Sequence, residues 1–141
     1  MANRIQSYRL VLSFILGAIT IAWAIGIWVI SIDPNPPTPT IATASGRSLP
    51  IDSIAHVAMY FTLAELLLLT SWTVKPAARN VWLLLVVIIV STSYGAAIEL
   101  YQGTVPNRIG SVLDSLLNGG GAVIAAALFA AVQTYIRSRR W

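Results

Sequence analysis

Four apolar segments decide what this chain can fold into, because about 20 apolar residues in a helix cross the hydrocarbon core of a bilayer. They cover about residues 10–32, 51–74, 81–102 and 111–136. Inside a bilayer the backbone polar groups must be paired within each segment, so such segments form helices. We therefore predict an all-α, polytopic membrane protein, a four-transmembrane-helix bundle in a single domain over residues 1–141.

The composition argues against a water-soluble domain and against a nucleic-acid-binding protein. The chain is 57% hydrophobic and 10% charged, with a mean hydropathy of +0.76, whereas soluble domains carry about 25% charged residues. The net charge is +4, but the basic residues flank the apolar segments instead of forming a groove, so no nucleic-acid partner is predicted. The absence of cysteine excludes disulfides and Cys-based metal sites.

The connecting segments differ in character. Residues 33–50 are rich in Pro and Thr and are predicted to form an extended loop outside the hydrocarbon, whereas residues 75–80 form a short turn. The first apolar segment is longer than the roughly 7–15 apolar residues of a signal peptide. We therefore expect this segment to be retained as the first helix.

The distribution of basic residues predicts the orientation. With four spans, the N-terminus, the 75–80 turn and the C-terminus share one side of the membrane. Lys and Arg collect on the cytoplasmic side, and this side carries seven of the nine: Arg4, Arg9, Lys75, Arg79, Arg137, Arg139 and Arg140. Only Arg47 and Arg108 lie on the other side. We predict a multi-pass protein of the cell (plasma or inner) membrane with both termini cytoplasmic and the 33–50 loop outside.

In this orientation, polar residues that are far apart in the chain converge at the outer leaflet. Ionisable groups in or near membrane spans are functional candidates because the bilayer makes them costly. The candidate catalytic residues are Asp52, His56 and Glu99. The candidate ligand-binding residues are Tyr60, Gln102, Arg108, Asp114 and Asn118.

Two of the acidic residues have specific requirements. Glu99 ends its helix, where the helix dipole disfavours an anion, so we expect Arg108 or His56 as its partner. Asp114 lies three residues after Ser111, a spacing that fits a capping box at a helix start.

The candidate residues form an ordered set of short motifs. They are Asp52-x-x-x-His56-x-x-x-Tyr60, Tyr94-Gly95-x-x-x-Glu99-x-x-Gln102, Pro106-x-Arg108 and Asp114-x-x-x-Asn118-x-x-Gly121. Their order, spacing and placement on helix ends, over about residues 51–126, resemble the VanZ-like family of small membrane proteins. In that family a Lys usually follows the Asp and an aromatic residue follows the His, whereas this chain has Ser53 and Val57.

The resemblance implies a cell-envelope protein, since the family takes its name from a protein linked to low-level resistance to the glycopeptide teicoplanin. The expected function is that of an envelope accessory. Its outward-facing polar site would bind a membrane lipid headgroup, a lipid-linked envelope precursor or a glycopeptide-type amphiphile.

One alternative function uses the same residues as catalytic groups. In a membrane-embedded hydrolase or transferase, His56 would act as general acid/base, oriented by Asp52 or Glu99, while Arg108 holds a phosphate group. The His and the carboxylates could instead bind a divalent cation, but no H-E-x-x-H or comparable motif occurs. The sequence therefore predicts no metal ligand and identifies no cofactor.

The last alternative is a small proton-coupled transporter, working as an oligomer and using Glu65. This residue lies nine positions after His56. In a helix this places it on the opposite side and about 13 Å deeper.

Overall fold

The computed structural model of the protein describes residues 2–34, 51–74, 81–106 and 108–139. Within these residues the fold is all-helical, with no strand. The helices are α1 (Ala2–Ser31), α2 (Ile51–Val74), α3 (Val81–Gln102) and α4 (Val112–Ser138). All four are long and apolar enough to cross a membrane, which confirms the predicted fold class. The cytoplasmic placement of the termini stays a prediction.

The helix boundaries lie within two residues of the predicted ones except at the start of α1. Helix α1 begins at Ala2 and not near residue 10, although its apolar part begins at Gln6. Hydropathy locates the hydrocarbon-spanning part of a helix, not its end. Arg9, near the N-terminal end of α1, donates from a guanidinium nitrogen to the carbonyl of Thr73 at 3.0 Å. The start of α1 is therefore joined to the end of α2.

The structure describes the predicted Pro/Thr-rich loop only as far as position 34. The rest of this loop and the predicted turn at 75–80 lie outside the described residues. The basic residues that these segments contribute to the orientation argument lie there too.

Helix α2 lies at the centre of the packing. Its contact with α4 is the most extensive in the bundle, and α1 packs mainly on α2 and only lightly on α3. Small residues let transmembrane helices approach closely. At Gly121 of α4, an added Cβ would collide with the carbonyl oxygen of Val57 and would lie 2.9 Å from the amide nitrogen of Phe61. The α2–α4 distance therefore depends on a glycine at this position.

Buried apolar side chains form two clusters. The first joins α2, α3 and α4 through Ala64, Leu68, Val87, Ala122 and Ala125. The second joins α1, α2 and α3 through Ile27, Tyr60, Leu63 and Ile98. Large apolar side chains also cover the outside of the bundle, for example Phe14, Trp82 and Leu116. An apolar exterior of this kind suits contact with lipid, whereas soluble monomers rarely expose such continuous apolar surface.

Candidate functional site

Four helix ends meet at one end of the bundle. The C-terminal ends of α1 and α3 lie beside the N-terminal ends of α2 and α4, as the side-chain contacts described below show. The alternating direction of four consecutive spans produces this arrangement. The structure thus brings together His56, Glu99, Asp114 and Asn118, which are separated by up to 62 positions in the chain.

His56 lies at the centre of this group. Its Nδ1 is 2.9 Å from Oδ1 of Asn118, a hydrogen-bond distance. The same Nδ1 is 3.9 Å from Oε1 of Glu99, and Nε2 is 4.0 Å from Oδ2 of Asp114. Both carboxylates are within ion-pair range, but neither is within hydrogen-bond distance of the ring. Asn118, which is fully buried, therefore determines how the imidazole is oriented.

Glu99 has a partner that the sequence does not predict. Its side chain is 4% exposed, and Oε2 accepts a hydrogen bond from the backbone N–H of Ser111 at 2.9 Å. His56 is close, as expected, but Arg108 forms no ion pair with an acid among the described residues. Of the two expected partners of Glu99, His56 is therefore the one that lies within ion-pair distance. Oε1 of Glu99 is buried and has no hydrogen-bond partner in the described part of the chain.

Arg108 and Gln102 bind the end of α1 instead. A guanidinium nitrogen of Arg108 donates to the carbonyl of Ser31 at 2.9 Å, and Nε2 of Gln102 donates to the same carbonyl at 2.8 Å. The last carbonyls of a helix have no partner within the helix. The two side chains satisfy one of these carbonyls and hold α1 against α3.

Two other candidate residues lie apart from the His56 group. Asp52 is exposed in the first turn of α2, and among the described residues it forms no ion pair with His56. Its placement suits an interaction with the helix dipole. Tyr60 is 2% exposed and packs against the ring of Tyr94, with ring centroids 6.4 Å apart. It belongs to the apolar core beneath the site.

The start of α4 shows half of the predicted capping box. Ser111 has an extended backbone (φ −122°, ψ 124°), and its side chain accepts from the amide of Asp114 at 3.2 Å. For this reason α4 begins at Val112, one residue later than predicted. The amide of Ser111 donates to Glu99 and not to Asp114.

A cavity of about 580 Å³ opens between the end of α3 and the start of α4. Its polar lining consists of Glu99, Arg108, Ser111 and Ser115. Its apolar lining includes Leu100, Ile109 and Val112. Typical small-molecule sites measure about 300–1,000 Å³ and combine an apolar wall with a few polar groups. The cavity therefore has the size and the lining of a binding site.

The sequence profile of the VanZ/LLP1 family matches residues 4–133. The chain belongs to the VanZ family. The matched range includes α1 and the loop after it, which the motifs over residues 51–126 do not reach. No curated protein and no solved structure matches the chain.

The arrangement gives this VanZ protein three chemical capabilities. The His56 imidazole lies between two carboxylates and could transfer protons. The guanidinium of Arg108 at the cavity wall could hold an anion. His56, Glu99 and Asp114 each offer one ligand atom for a cation, and these atoms lie within 4.8 Å of one another.

Glu65 lies on α2 outside this group. Its Oε1 is buried and has no hydrogen-bond partner among the described residues. A transporter that uses Glu65 would therefore employ a different part of the VanZ protein from the His56 group.

Proposed function

We propose that this VanZ-family protein binds the phosphate-bearing headgroup of a membrane amphiphile, either a lipid or a lipid-linked envelope precursor. The observation that supports this function is the cavity between α3 and α4, whose polar residues lie next to apolar residues on the lipid-facing surface. A molecule with a charged head and an apolar tail matches both parts.

The apolar part of the cavity continues onto the outside of the bundle. Ile109 is 89% exposed, Val112 is 80% exposed and Leu100 is 78% exposed. An exposed apolar surface of this kind suits contact with the hydrocarbon of a membrane. An acyl or isoprenoid chain can thus stay in the bilayer while its headgroup enters the cavity.

The polar part supplies Arg108. A guanidinium has five N–H donors, and the described contact with Ser31 uses one of its nitrogens. Its planar geometry suits phosphate oxygens. Since Gln102 holds the same carbonyl of Ser31, the arginine is attached to a point that is itself fixed. This is the kind of preorganised group that a headgroup site needs.

The orientation predicted from the basic residues would put this site in the outer leaflet. Among the described side chains, Arg9, Arg137 and Arg139 lie at the opposite end of the bundle from the cavity. Cationic residues favour the cytoplasm. A glycopeptide-type amphiphile, which also joins a polar head to an apolar chain, is a further candidate occupant, since glycopeptide resistance is linked to the family.

Co-purifying lipids provide the test. The protein is purified in mild detergent, and native mass spectrometry compares the wild type with Arg108→Gln. We expect one bound phosphate-containing amphiphile, with occupancy at least tenfold lower in Arg108→Gln, because charged hydrogen bonds contribute about 1.5–3 kcal/mol. The mass of the bound molecule separates a phospholipid from a lipid-linked precursor.

Arg9→Gln is the matched control. Arg9 also donates to a carbonyl near the end of a helix, that of Thr73, but at the other end of the bundle. We expect unchanged occupancy in this variant. Equal loss in Arg9→Gln and Arg108→Gln, or no bound amphiphile in the wild type, would contradict the proposal.

The position of His56 favours a second candidate function, a membrane-embedded hydrolase or transferase. Its ring is held by Asn118 and lies within 4.0 Å of two carboxylates. In this case the bound amphiphile would be converted to product, and His56→Ala would abolish turnover without preventing binding. An intact amphiphile recovered after long incubation with the wild type would exclude turnover of that molecule.

A further inference from the structure

We propose that His56, Glu99 and Asp114 form a site for one divalent transition-metal ion, such as Zn²⁺ or Mn²⁺. The three residues come from three different helices, and one ligand atom from each lies within 4.8 Å of the other two. This site goes beyond the headgroup proposal, since metal binding requires no amphiphile.

The orientation of the imidazole prepares it for a metal ion. Oδ1 of Asn118 can only accept, so Nδ1 of His56 carries the hydrogen of the 2.9 Å contact. In the neutral ring, Nε2 is then the unprotonated nitrogen, and it faces Oδ2 of Asp114. Metal-binding histidines usually donate the other ring N–H to a carbonyl or carboxylate oxygen. Asn118 would thus act as a positioning residue for the metal ligand.

The distance between His56 and Asp114 fits a bridging ion better than a direct hydrogen bond. The separation of Nε2 and Oδ2 is 4.0 Å. This distance is too long for a hydrogen bond. It is shorter than about 4.2 Å, twice the usual distance of about 2.1 Å between zinc and a nitrogen or oxygen ligand. An ion between the two atoms can therefore reach both.

Glu99 supplies an independent observation. Its side chain is 4% exposed, Oε2 is satisfied by the amide of Ser111, and Oε1 has no hydrogen-bond partner among the described residues. Oε1 lies 3.9 Å from Nδ1 of His56, and the three candidate ligand atoms of the group lie within 4.8 Å of one another. Buried polar atoms are normally paired, so an unpaired one needs an explanation. A bound cation would give this oxygen its missing partner.

The charges of the group favour the same ligand. The group contains two carboxylates and one imidazole, and no Arg or Lys forms an ion pair with them in the described part of the chain. A divalent ion would neutralise them. One nitrogen and two oxygen ligands without sulfur suit Zn²⁺ or Mn²⁺, whereas Ca²⁺ and Mg²⁺ prefer oxygen alone.

The test measures metal content and affinity directly. The protein is purified with a tag that contains no histidine, stripped with EDTA, and titrated with Zn²⁺ and with Mn²⁺ by calorimetry and elemental analysis. The chain has one histidine and no cysteine, so few other strong ligands compete. We expect about one ion per chain. We expect at least tenfold weaker binding in His56→Ala, Glu99→Gln and Asp114→Asn.

Two further variants make the result specific. Asp52→Asn removes an exposed carboxylate one turn before His56 on the same helix and should leave the affinity unchanged. Asn118→Ala should weaken binding about 10- to 100-fold, as expected when the partner of a metal-binding histidine is lost. Circular dichroism tests whether each variant is folded. If His56→Ala is unfolded, Glu99→Gln still tests the site, because its side-chain oxygen can accept the hydrogen bond from the amide of Ser111.

Three outcomes would overturn the proposal. The first is a wild type that binds neither ion above the level of a detergent blank. The second is equal affinity in the wild type and in folded Glu99→Gln and Asp114→Asn. The third is loss of binding in Asp52→Asn, which would indicate ions held at the surface. A protein that binds the metal but no amphiphile would contradict only the headgroup proposal.

Discussion

At the scale of single residues, the polar group depends most on Asn118. This side chain is fully buried, and its Oδ1 binds Nδ1 of His56. Its other side packs against Gly95, where an added Cβ would lie 2.6 Å from Nδ2 of Asn118. The glycine on α3 therefore makes room for the asparagine that holds the histidine.

This role predicts a cost for Asn118→Leu. Leucine has a similar volume but leaves Nδ1 of His56 without its partner, so we expect a loss of about 1–3 kcal/mol in the free energy of unfolding. Unfolding in detergent micelles, followed by circular dichroism, measures this loss. The control is Gln133→Leu, which removes an amide that makes no hydrogen bond in the described part of the same helix. Equal stability of Asn118→Leu and the wild type would contradict the role given to Asn118.

Residue types predicted which groups would meet, but not all of their partners. The burial cost of a carboxylate at the end of α3 indicated that Glu99 needs a partner, and His56 is indeed nearby. The hydrogen bond to Glu99 comes from the backbone of Ser111, and backbone donors are present at almost every residue. The pairing depends on the path of the loop between α3 and α4, which no side-chain pattern in the sequence describes. Arg108 is in that loop and turns to Ser31 for the same reason.

At the scale of helices, the contact between α2 and α4 depends on how closely their backbones approach. Two adjacent glycines of α4 differ in this respect. A Cβ at Gly121 would collide with the backbone of α2 at Val57, whereas a Cβ at Gly120 meets nothing within 4 Å. Of these two glycines, only Gly121 is needed for packing inside the described part of the bundle.

The two positions predict opposite effects of the same substitution. Gly121→Ala should destabilise the protein by about 1–3 kcal/mol, because the obstructing atom is a backbone carbonyl that cannot rotate away. Gly120→Ala should be neutral or stabilising by up to about 1 kcal/mol, because alanine restricts the unfolded chain more than glycine does. Thermal unfolding in detergent compares the two variants. A similar change in stability in both variants would show that the contact between α2 and α4 tolerates a wider helix separation.

Helix boundaries were predictable where hydropathy and helix ends coincide. Helices α2 and α3 begin and end as predicted, because polar or turn-forming residues flank their apolar segments. Helix α1 begins at Ala2, ahead of its apolar part, and the contact from Arg9 to Thr73 joins the N-terminal portion of α1 to α2. That contact depends on tertiary structure, so hydropathy alone could not locate the start of α1.

At the scale of the whole molecule, polar groups with different roles lie at the two ends of the bundle. One end holds the His56 group and the cavity, and the other holds Arg9, Arg137 and Arg139. Four consecutive spans make this separation predictable, because alternate helix ends share a side. Which end faces outward depends on the membrane and follows from the basic residues. The proposed headgroup site requires the His56 end to face outward.

Cysteine labelling tests this orientation most directly. The chain has no cysteine, so Thr104→Cys in the loop after α3 and Ser138→Cys at the end of α4 each provide a single thiol. Both positions are exposed, and they lie at opposite ends of the bundle. In intact spheroplasts of a bacterial host, a membrane-impermeant maleimide should label Thr104→Cys at once and Ser138→Cys only after permeabilisation. Labelling of Ser138→Cys but not Thr104→Cys in intact spheroplasts would place the His56 group in the cytoplasm and would contradict the proposed outward-facing site.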